Sequence, residues 1–157
     1  MPLILYEENL LILAEAGTRT ISMVQGLQHL NQLRALLRSG RAFDVLNPGE
    51  ALKYDPMIME DFAPGGIENQ DAVDMDRALL REIVEERYVS GFGQFLPFDD
   101  ARRLRRDDAD IAVPFPLNVP TATLHPERFR WAAVELNNNP NAPGPDPGIF
   151  EITAVNR

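Results

Sequence analysis

Apolar and polar residues recur along the first forty positions with the spacing of two successive helices. This pattern predicts a helical hairpin over residues 6–38. The apolar face of its first helix is formed by Leu10, Leu11, Leu13, Ala14 and Gly17. Its glutamates, Glu7, Glu8 and Glu15, are predicted to lie outside. Gly17 is predicted to end the first helix, Thr20 or Ser22 to cap the second, and Gly40 to end it.

Gly26 lies inside the second predicted helix, where glycine costs roughly 1 kcal/mol relative to alanine. Ala14, on the first helix, is also small. Small residues at both positions would let the two helices approach closely, as in a tetratricopeptide-like helix pair. One such pair cannot bury both of its faces, so we expect it to have neighbours.

The middle of the chain is predicted to be a long ordered loop followed by two helices. Glycine and proline interrupt residues 41–73, and a short helical turn is expected near residues 56–61. Residues 74–90 have the clearest helical spacing, with a buried stripe of Met75, Leu79, Leu80, Ile83, Val84 and Tyr88. Arg81 is predicted to pair with Glu85. A shorter helix is expected from Pro97 to Leu104 or Arg106.

Most of the 13 prolines fall in the later part of the chain. Residues 107–157 are therefore predicted to be an extended or turn-like tail that lies over the helices. The whole chain, 1–157, is predicted to be a single, mainly α region. Its parts are the helix pair over 5–40, the loop over 41–73, the helices over 74–106 and the tail over 107–157.

The charge balance narrows the classes of partner. The net charge is -9, which disfavours nucleic acids and anionic membrane surfaces. Because cysteine is absent, disulfides, thiolate metal sites and cysteine nucleophiles are excluded. No apolar run reaches the roughly 18 residues that a membrane span requires, and no signal peptide is recognised at the start.

No catalytic residue, metal site or cofactor is predicted. The two histidines, His29 and His125, have no sequence feature that brings them together, and the phosphate-loop and hydrolase motifs are missing. The carboxylates are interleaved with arginines, as in a salt-bridged surface. Glu86 and Arg87, with Asp99 or Asp100, are predicted to form an ion-pair network that holds the helices in register.

Three stretches, in this order, resemble the carboxy-terminal part of the SusD/RagB family. Leu13-Ala14-Glu15-Ala16, followed by Leu30-Asn31-Gln32-Leu33-Arg34, is similar to the family's LAEA and LNxVRxR patterns. Glu86-Arg87, followed by Phe98-Asp99 and Arg102, looks like its ER helix and FD-x-x-R element. Arg128-Phe129-Arg130-Trp131, then Glu135 and Asn139-Pro140-Asn141, resembles the closing segment of one of its branches.

The resemblance implies a non-enzymatic role in nutrient uptake at the outer membrane of a Bacteroidetes-type bacterium. The complete protein would be a surface-exposed lipoprotein that caps a TonB-dependent transporter, a SusC-like protein, and passes oligosaccharide to it. This chain has no lipid-bearing cysteine, so it is expected to be a carboxy-terminal fragment whose partners include the missing amino-terminal part. The alternatives are a helical-repeat adaptor that binds a protein, or a small structural component such as that of a phage particle.

The sugar-binding residues are not assigned by the resemblance, because the family's glycan platform is largely built upstream of this segment. Aromatic rings stack on the apolar faces of sugars. The candidates are Trp131, Phe115, Phe129, Tyr54 and Phe95. Trp131 is the one aromatic residue that we single out as a possible ligand contact.

Overall fold

The computed structural model describes residues 5–41, 54–114, 124–142 and 148–152, and within these ranges it is mainly helical with no strand. The helices are α1 (Tyr6–Thr20), α2 (Met23–Arg38), α3 (Met75–Ser90), α4 (Leu96–Leu104) and α5 (Ala133–Asn138). The predicted mainly α fold class is confirmed. The chain forms two compact units, Met1–Val113 and Pro114–Arg157.

The α1–α2 hairpin turns within two residues. Helix α1 continues through Gly17 to Thr20, so the prediction that Gly17 ends it is wrong. The carbonyl oxygen of Gly17 accepts hydrogen bonds from the backbone N–H groups of Ile21 and Ser22, both at 3.0 Å. Ser22 then caps α2 by accepting from the N–H of Gln25 at 3.2 Å. Gly17 therefore helps to form the turn through its carbonyl group.

Gly26 allows α1 and α2 to touch. A β-carbon at Gly26 would lie 2.9 Å from the carbonyl oxygen of Ala14 and would also collide with the Thr18 hydroxyl. That hydroxyl donates to the same Ala14 carbonyl at 2.9 Å. The predicted contact between Ala14 and Gly26 is confirmed.

Helix α3 is buried on two sides. Leu79 and Ile83 join the main core, which is formed with α1 and α2, whereas Leu80 and Val84 pack with Leu104 and Ile111 in a second core. Two adjacent apolar stripes on α3 account for this arrangement. Leu13, predicted on the buried face of α1, is instead 40% exposed, because the face that packs on the core is centred on Leu10, Leu11 and Ala14.

The chain that precedes α3 lies along α2 and is held there by side chains that bind its backbone. Asn31 donates to the carbonyl of Met57 and accepts from the Met57 N–H, each at 2.9 Å. Arg34 Nε donates to the carbonyl of Asp55 at 2.7 Å. The Asn31 amide and the Arg34 guanidinium thus form the hydrogen bonds with this backbone that a neighbouring β-strand would otherwise form. We refer to this arrangement as the α2 clamp.

A 3₁₀ turn over Met59–Phe62 follows the clamp, close to the predicted position. Asn69 is fully buried and organises the loop after it. Its amide donates to the carbonyls of Phe62, at 2.7 Å, and Val73, at 2.8 Å, and its oxygen accepts from the Val73 N–H at 2.9 Å. The described part of the predicted loop is therefore ordered by side-chain hydrogen bonds.

The second unit contains a helix that the tail prediction missed. Ala133–Asn138 forms α5, in which no residue is buried. The Asn139 amide donates to the Glu135 carboxylate, and the Asn139 oxygen accepts from the Asn141 N–H. The backbone of Glu127 donates to the carbonyl of Ile149 at 2.7 Å. The abundant prolines and asparagines suggested extended chain, but Asn137 and Asn138 form the last two residues of the helix and the prolines lie outside it.

Candidate functional site

Glu15 is the centre of an ion-pair network that joins α1, α3 and α4. It accepts hydrogen bonds from Arg87 at 2.8 Å, from Arg103 at 2.6 Å and from Arg19 at 2.9 Å. The prediction that Glu15 lies outside is wrong, because it is only 7% exposed. Burial is tolerated here because three guanidinium groups neutralise and bind the carboxylate.

The Arg87–Asp100 contact in this network was predicted. Arg87 Nη1 lies 3.2 Å from Asp100, and Arg103 also contacts Asp100 at 2.8 Å. Burial opposes ionisation of Glu15, but the hydrogen bonds and charges of Arg103 and Arg87 prevail and lower its pKa to about 2. Glu15 is therefore ionised at neutral pH.

The same network extends beyond α4. Arg19 lies 2.8 Å from Asp108, and Arg77, on α3, lies 2.8 Å from the other oxygen of Asp108. Arg77 also binds Asp110. The charged segment after α4 is therefore tied to both α1 and α3 through its aspartates.

Glu86 belongs to a different cluster from the one predicted. It binds Arg34 of α2 at 2.8 Å, because successive residues of a helix point in different directions. Asp99 likewise lies apart from Arg87 and contacts Arg102 at 3.5 Å.

The predicted pairing of Arg81 with Glu85 is present as a charge interaction, in which Arg81 opposes the rise in the pKa of Glu85 that burial causes, but the hydrogen bonds of Arg81 go elsewhere. Arg81 forms a two-point contact with Asp71, at 3.0 and 3.2 Å. Asp71 lies in the loop before α3, so the guanidinium connects the loop to the helix.

Glu82 shares Arg34 with Glu86 but lies farther from it, at 3.6 Å, and its side chain is 12% exposed. Burial, together with the neighbouring carboxylates of Glu68, Glu86 and Glu85, raises the pKa of Glu82 to about 8, and Arg34 only partly opposes this. Glu82 lines a pocket of about 280 Å³ beside the loop, whose other acidic residues are Glu68, Asp71 and Glu85. The protonated form of Glu82 is therefore the one that the fold favours.

The substitution Glu82→Gln should raise the free energy of unfolding at pH 9 by roughly 1–3 kcal/mol, because it removes a buried charge and one pKa unit corresponds to about 1.4 kcal/mol. The pKa of Glu82 is raised in the folded state, so its contribution to the free energy of unfolding is complete below pH 4.5, its ordinary value. That contribution is lost as the pH rises towards 8. The gain should therefore shrink towards pH 4.5. Urea unfolding followed by circular dichroism measures both values.

Glu60→Gln is a matched control for this prediction, because Glu60 is an exposed glutamate in the turn before the loop. Its stability should follow that of the wild type at every pH. Equal stability of Glu82→Gln and wild type at pH 9 would show that Glu82 is adequately solvated.

A second pocket, which we call the α1–α3 pocket, has a volume of about 270 Å³ and is lined by residues of α1, α2, α3 and α4. Its apolar lining residues are Leu5, Leu11, Leu37, Val89 and Leu96. Its polar lining residues are Glu7, Glu8, Tyr54, Glu86, Arg87, Ser90 and Gln94. The pocket therefore combines an apolar interior with several carboxylates and lies beside the Glu15 network.

The described aromatic candidates are divided between the two units. Tyr54 lines the α1–α3 pocket, with Arg34 above its ring at 5.6 Å. Phe95 is exposed on the segment before α4, whereas Trp131 is half-buried before α5 in the second unit. Phe129 is exposed in the same unit as Trp131, and Phe115 lies outside the described residues.

The two histidines belong to different units. His29 is hydrogen-bonded along α2 to Gln25 at 2.9 Å and to Gln32 at 3.2 Å, and His125 lies in the second unit. Within the described ranges, no group of three or more metal-ligating side chains is placed to hold an ion. No helix of the described chain is long and apolar enough to cross a membrane.

Sequence reasoning missed two important residues of this region. Glu15 was assigned to the surface because a glutamate beside apolar positions usually is. Asn31 was recognised only as one residue of the LNxVRxR-like stretch, and its contact with the backbone was not predicted. The clustering of arginines in the later helices, which require acceptors, is a signal that could have identified Glu15. Asn31 binds backbone groups, for which the sequence carries no such signal. Comparison of the chain with protein-family models, curated proteins and solved structures gives no match.

Proposed function

We propose that this chain is the carboxy-terminal part of a non-catalytic nutrient-binding protein of the SusD/RagB type, which takes up glycans together with a TonB-dependent transporter in the outer membrane. The tetratricopeptide-like character of the α1–α2 hairpin belongs to the same proposal. In this role the chain is a scaffold for docking, and the oligosaccharide is passed on without chemical change.

The observation that favours this proposal is that several residues of the first two resembling stretches make tertiary contacts. The clamp residues Asn31 and Arg34 come from the LNxVRxR-like stretch, and they bind the backbone at Met57 and Asp55. Arg87, from the ER-like pair, contacts Asp100. A set of unrelated coincidences would have no reason to select residues that hold the helices together.

A non-catalytic role agrees with the state of the carboxylates around the Glu15 network. Glu15 and Asp100 are bound by arginines. A glycosidase requires one carboxylic acid and one carboxylate across an open cleft. Because Glu15 is held ionised and each of its oxygens accepts two hydrogen bonds from arginines, it is better suited to joining helices than to transferring protons.

Binding of soluble oligosaccharides to the purified chain tests this proposal. Titration calorimetry against a panel of plant and host glycan fragments should give a binding isotherm for at least one class, and that sugar should raise the melting temperature by mass action. Trp131→Ala should weaken the binding if the ring contacts sugar, whereas Val134→Ala, at an exposed apolar residue of α5, is a matched control.

Affinity purification of the tagged protein from detergent-solubilised outer membranes is the second arm of the test. The expected result is enrichment of a TonB-dependent transporter. Failure to bind any glycan, together with absence of such a transporter from the purified material, would overturn the proposal.

A protein-binding adaptor is the second candidate, and the outer face of α1 favours it. Tyr6 and Leu13, and likewise Leu5 and Ile12, are seven residues apart and therefore lie along one side of the helix. All four are at least 39% exposed. A helix that presents an apolar stripe to solvent can pack against a helix of another protein. Recovery of a peptide-binding partner in place of a transporter would favour this candidate.

A further inference from the structure

The α1–α3 pocket carries an imbalance of charge around an apolar interior. Glu7 and Glu8 come from the first turn of α1 and Glu86 comes from α3. Against these three carboxylates stands one lining cation, Arg87. The Arg87 guanidinium is already neutralised by Glu15 at 2.8 Å and Asp100 at 3.2 Å. Glu86 is likewise bound by Arg34 at 2.8 Å, so the carboxylates that remain for an occupant of the pocket are Glu7 and Glu8.

We propose that the α1–α3 pocket binds a small organic ammonium ion, with its apolar body on the leucines and its charged nitrogen at Glu7 and Glu8. This inference is independent of the proposed role in glycan uptake. It rests on the volume of the pocket, on the nature of its walls and on charge complementarity.

The apolar walls explain why the occupant should have a hydrocarbon body. Leu11 and Leu37 belong to the buried core and form the inner wall, while Val89 and Leu96 contribute from α3 and α4. Removing an alkyl or aryl group from water stabilises the complex in proportion to the apolar area covered. A volume of about 270 Å³ is just below the range of roughly 300–1,000 Å³ typical of drug-sized ligands, so the occupant should be smaller.

The carboxylates explain why the occupant should be a cation. Glu7 and Glu8 line the pocket, whereas Glu86 is already paired with Arg34, so the attraction for a cation comes from the first turn of α1. An ammonium group in the pocket would lie beside these two half-buried carboxylates, where the attraction is stronger than between fully solvated charges. An anion of the same shape would be repelled by Glu7 and Glu8.

Three probes of similar shape and different charge test the proposal on the full chain: 2-phenylethylammonium, 2-phenylethanol and 3-phenylpropanoate. Titrations followed by amide chemical shifts should show the ammonium ion binding at least about tenfold more tightly than the alcohol. The carboxylate should bind most weakly. The shifted amides should include those of Leu11, Leu37 and Gly91, which line the pocket.

Two variants link the binding to the pocket. The double substitution Glu7→Gln and Glu8→Gln should remove most of the preference for the ammonium ion, whereas Glu60→Gln, an exposed glutamate elsewhere, should leave it unchanged. Val89→Lys, at a lining residue that is 62% exposed, should place a competing ammonium group at the pocket. It should weaken probe binding by about tenfold.

Equal affinity for the three probes would overturn the proposal. So would chemical-shift changes confined to residues away from the pocket, or unchanged affinity in Val89→Lys. Because none of these measurements involves sugar, their failure would leave the glycan proposal standing, and a failed glycan titration would likewise leave the ammonium site intact.

Discussion

Glu15→Gln is expected to lower the free energy of unfolding at pH 7 by roughly 3–5 kcal/mol, the usual cost of removing one partner from a buried ion-pair cluster. The glutamine keeps the shape of the side chain but not its charge. Arg87, whose side chain is 7% exposed, then depends on Asp100 alone. Three helices lose their common anionic acceptor in one substitution.

The pH dependence gives this prediction a second measurement. The folded-state pKa of Glu15, about 2, is below its ordinary value of 4.5. The contribution of Glu15 to the free energy of unfolding is therefore complete above pH 4.5 and is lost as the pH falls towards 2. The stability difference between wild type and Glu15→Gln should be constant from pH 5 to 7 and should narrow below pH 4.

Glu8→Gln is the matched control, since it makes the same chemical change on the same helix at a half-buried position. Its free energy of unfolding should stay within about 0.5 kcal/mol of the wild type. Chemical denaturation at fixed ionic strength compares the two variants. A Glu15→Gln protein as stable as Glu8→Gln at pH 7 would show that the arginines find equally good acceptors without Glu15.

Gly26→Ala is expected to destabilise the protein by roughly 2 kcal/mol, although alanine is the better helix former. The new methyl group would meet the Ala14 carbonyl oxygen at 2.9 Å and the Thr18 hydroxyl. Overpacking of this kind costs about 1–3 kcal/mol. The Thr18 hydroxyl is the nearer of the two, but the Ala14 carbonyl is backbone, which moves only if the two helices separate.

A double-mutant cycle separates the collision from the change in helix propensity. Thr18→Ala removes the hydroxyl, so Gly26→Ala should cost less in that background than in the wild type. Ala35→Gly, at an exposed position of α2, calibrates helix propensity alone and should cost about 1 kcal/mol. Stabilisation by Gly26→Ala would mean that the hairpin is not closely packed at this point.

The sequence was sufficient for features that depend on neighbours along the chain. The spacing of leucines located α2 and α3 closely, and Ser22 was one of the two predicted caps of α2, because capping and periodicity are local properties. The contact of Ala14 with Gly26 was also predictable, since a glycine inside a helix generally has a packing reason.

Features that depend on distant partners were harder to predict. The sequence near Glu15 contains no sign of the arginines that bury it, because Arg87 and Arg103 are more than seventy positions away. Glu86 and Arg87 were predicted to act together, yet the direction of each side chain sends one to α2 and the other to α4. Adjacency in sequence was a poor guide to adjacency in space.

The α2 clamp has a consequence for how this region can vary. Asn31 and Arg34 bind carbonyl and amide groups of the chain before α3, and every amino acid except proline offers both groups. The side chain of the exposed Asp55 is therefore free to be exchanged, for example to introduce a fluorescent label. The residues that must be kept are those of α2, where the Asn31 side chain supplies a donor and an acceptor in one planar group.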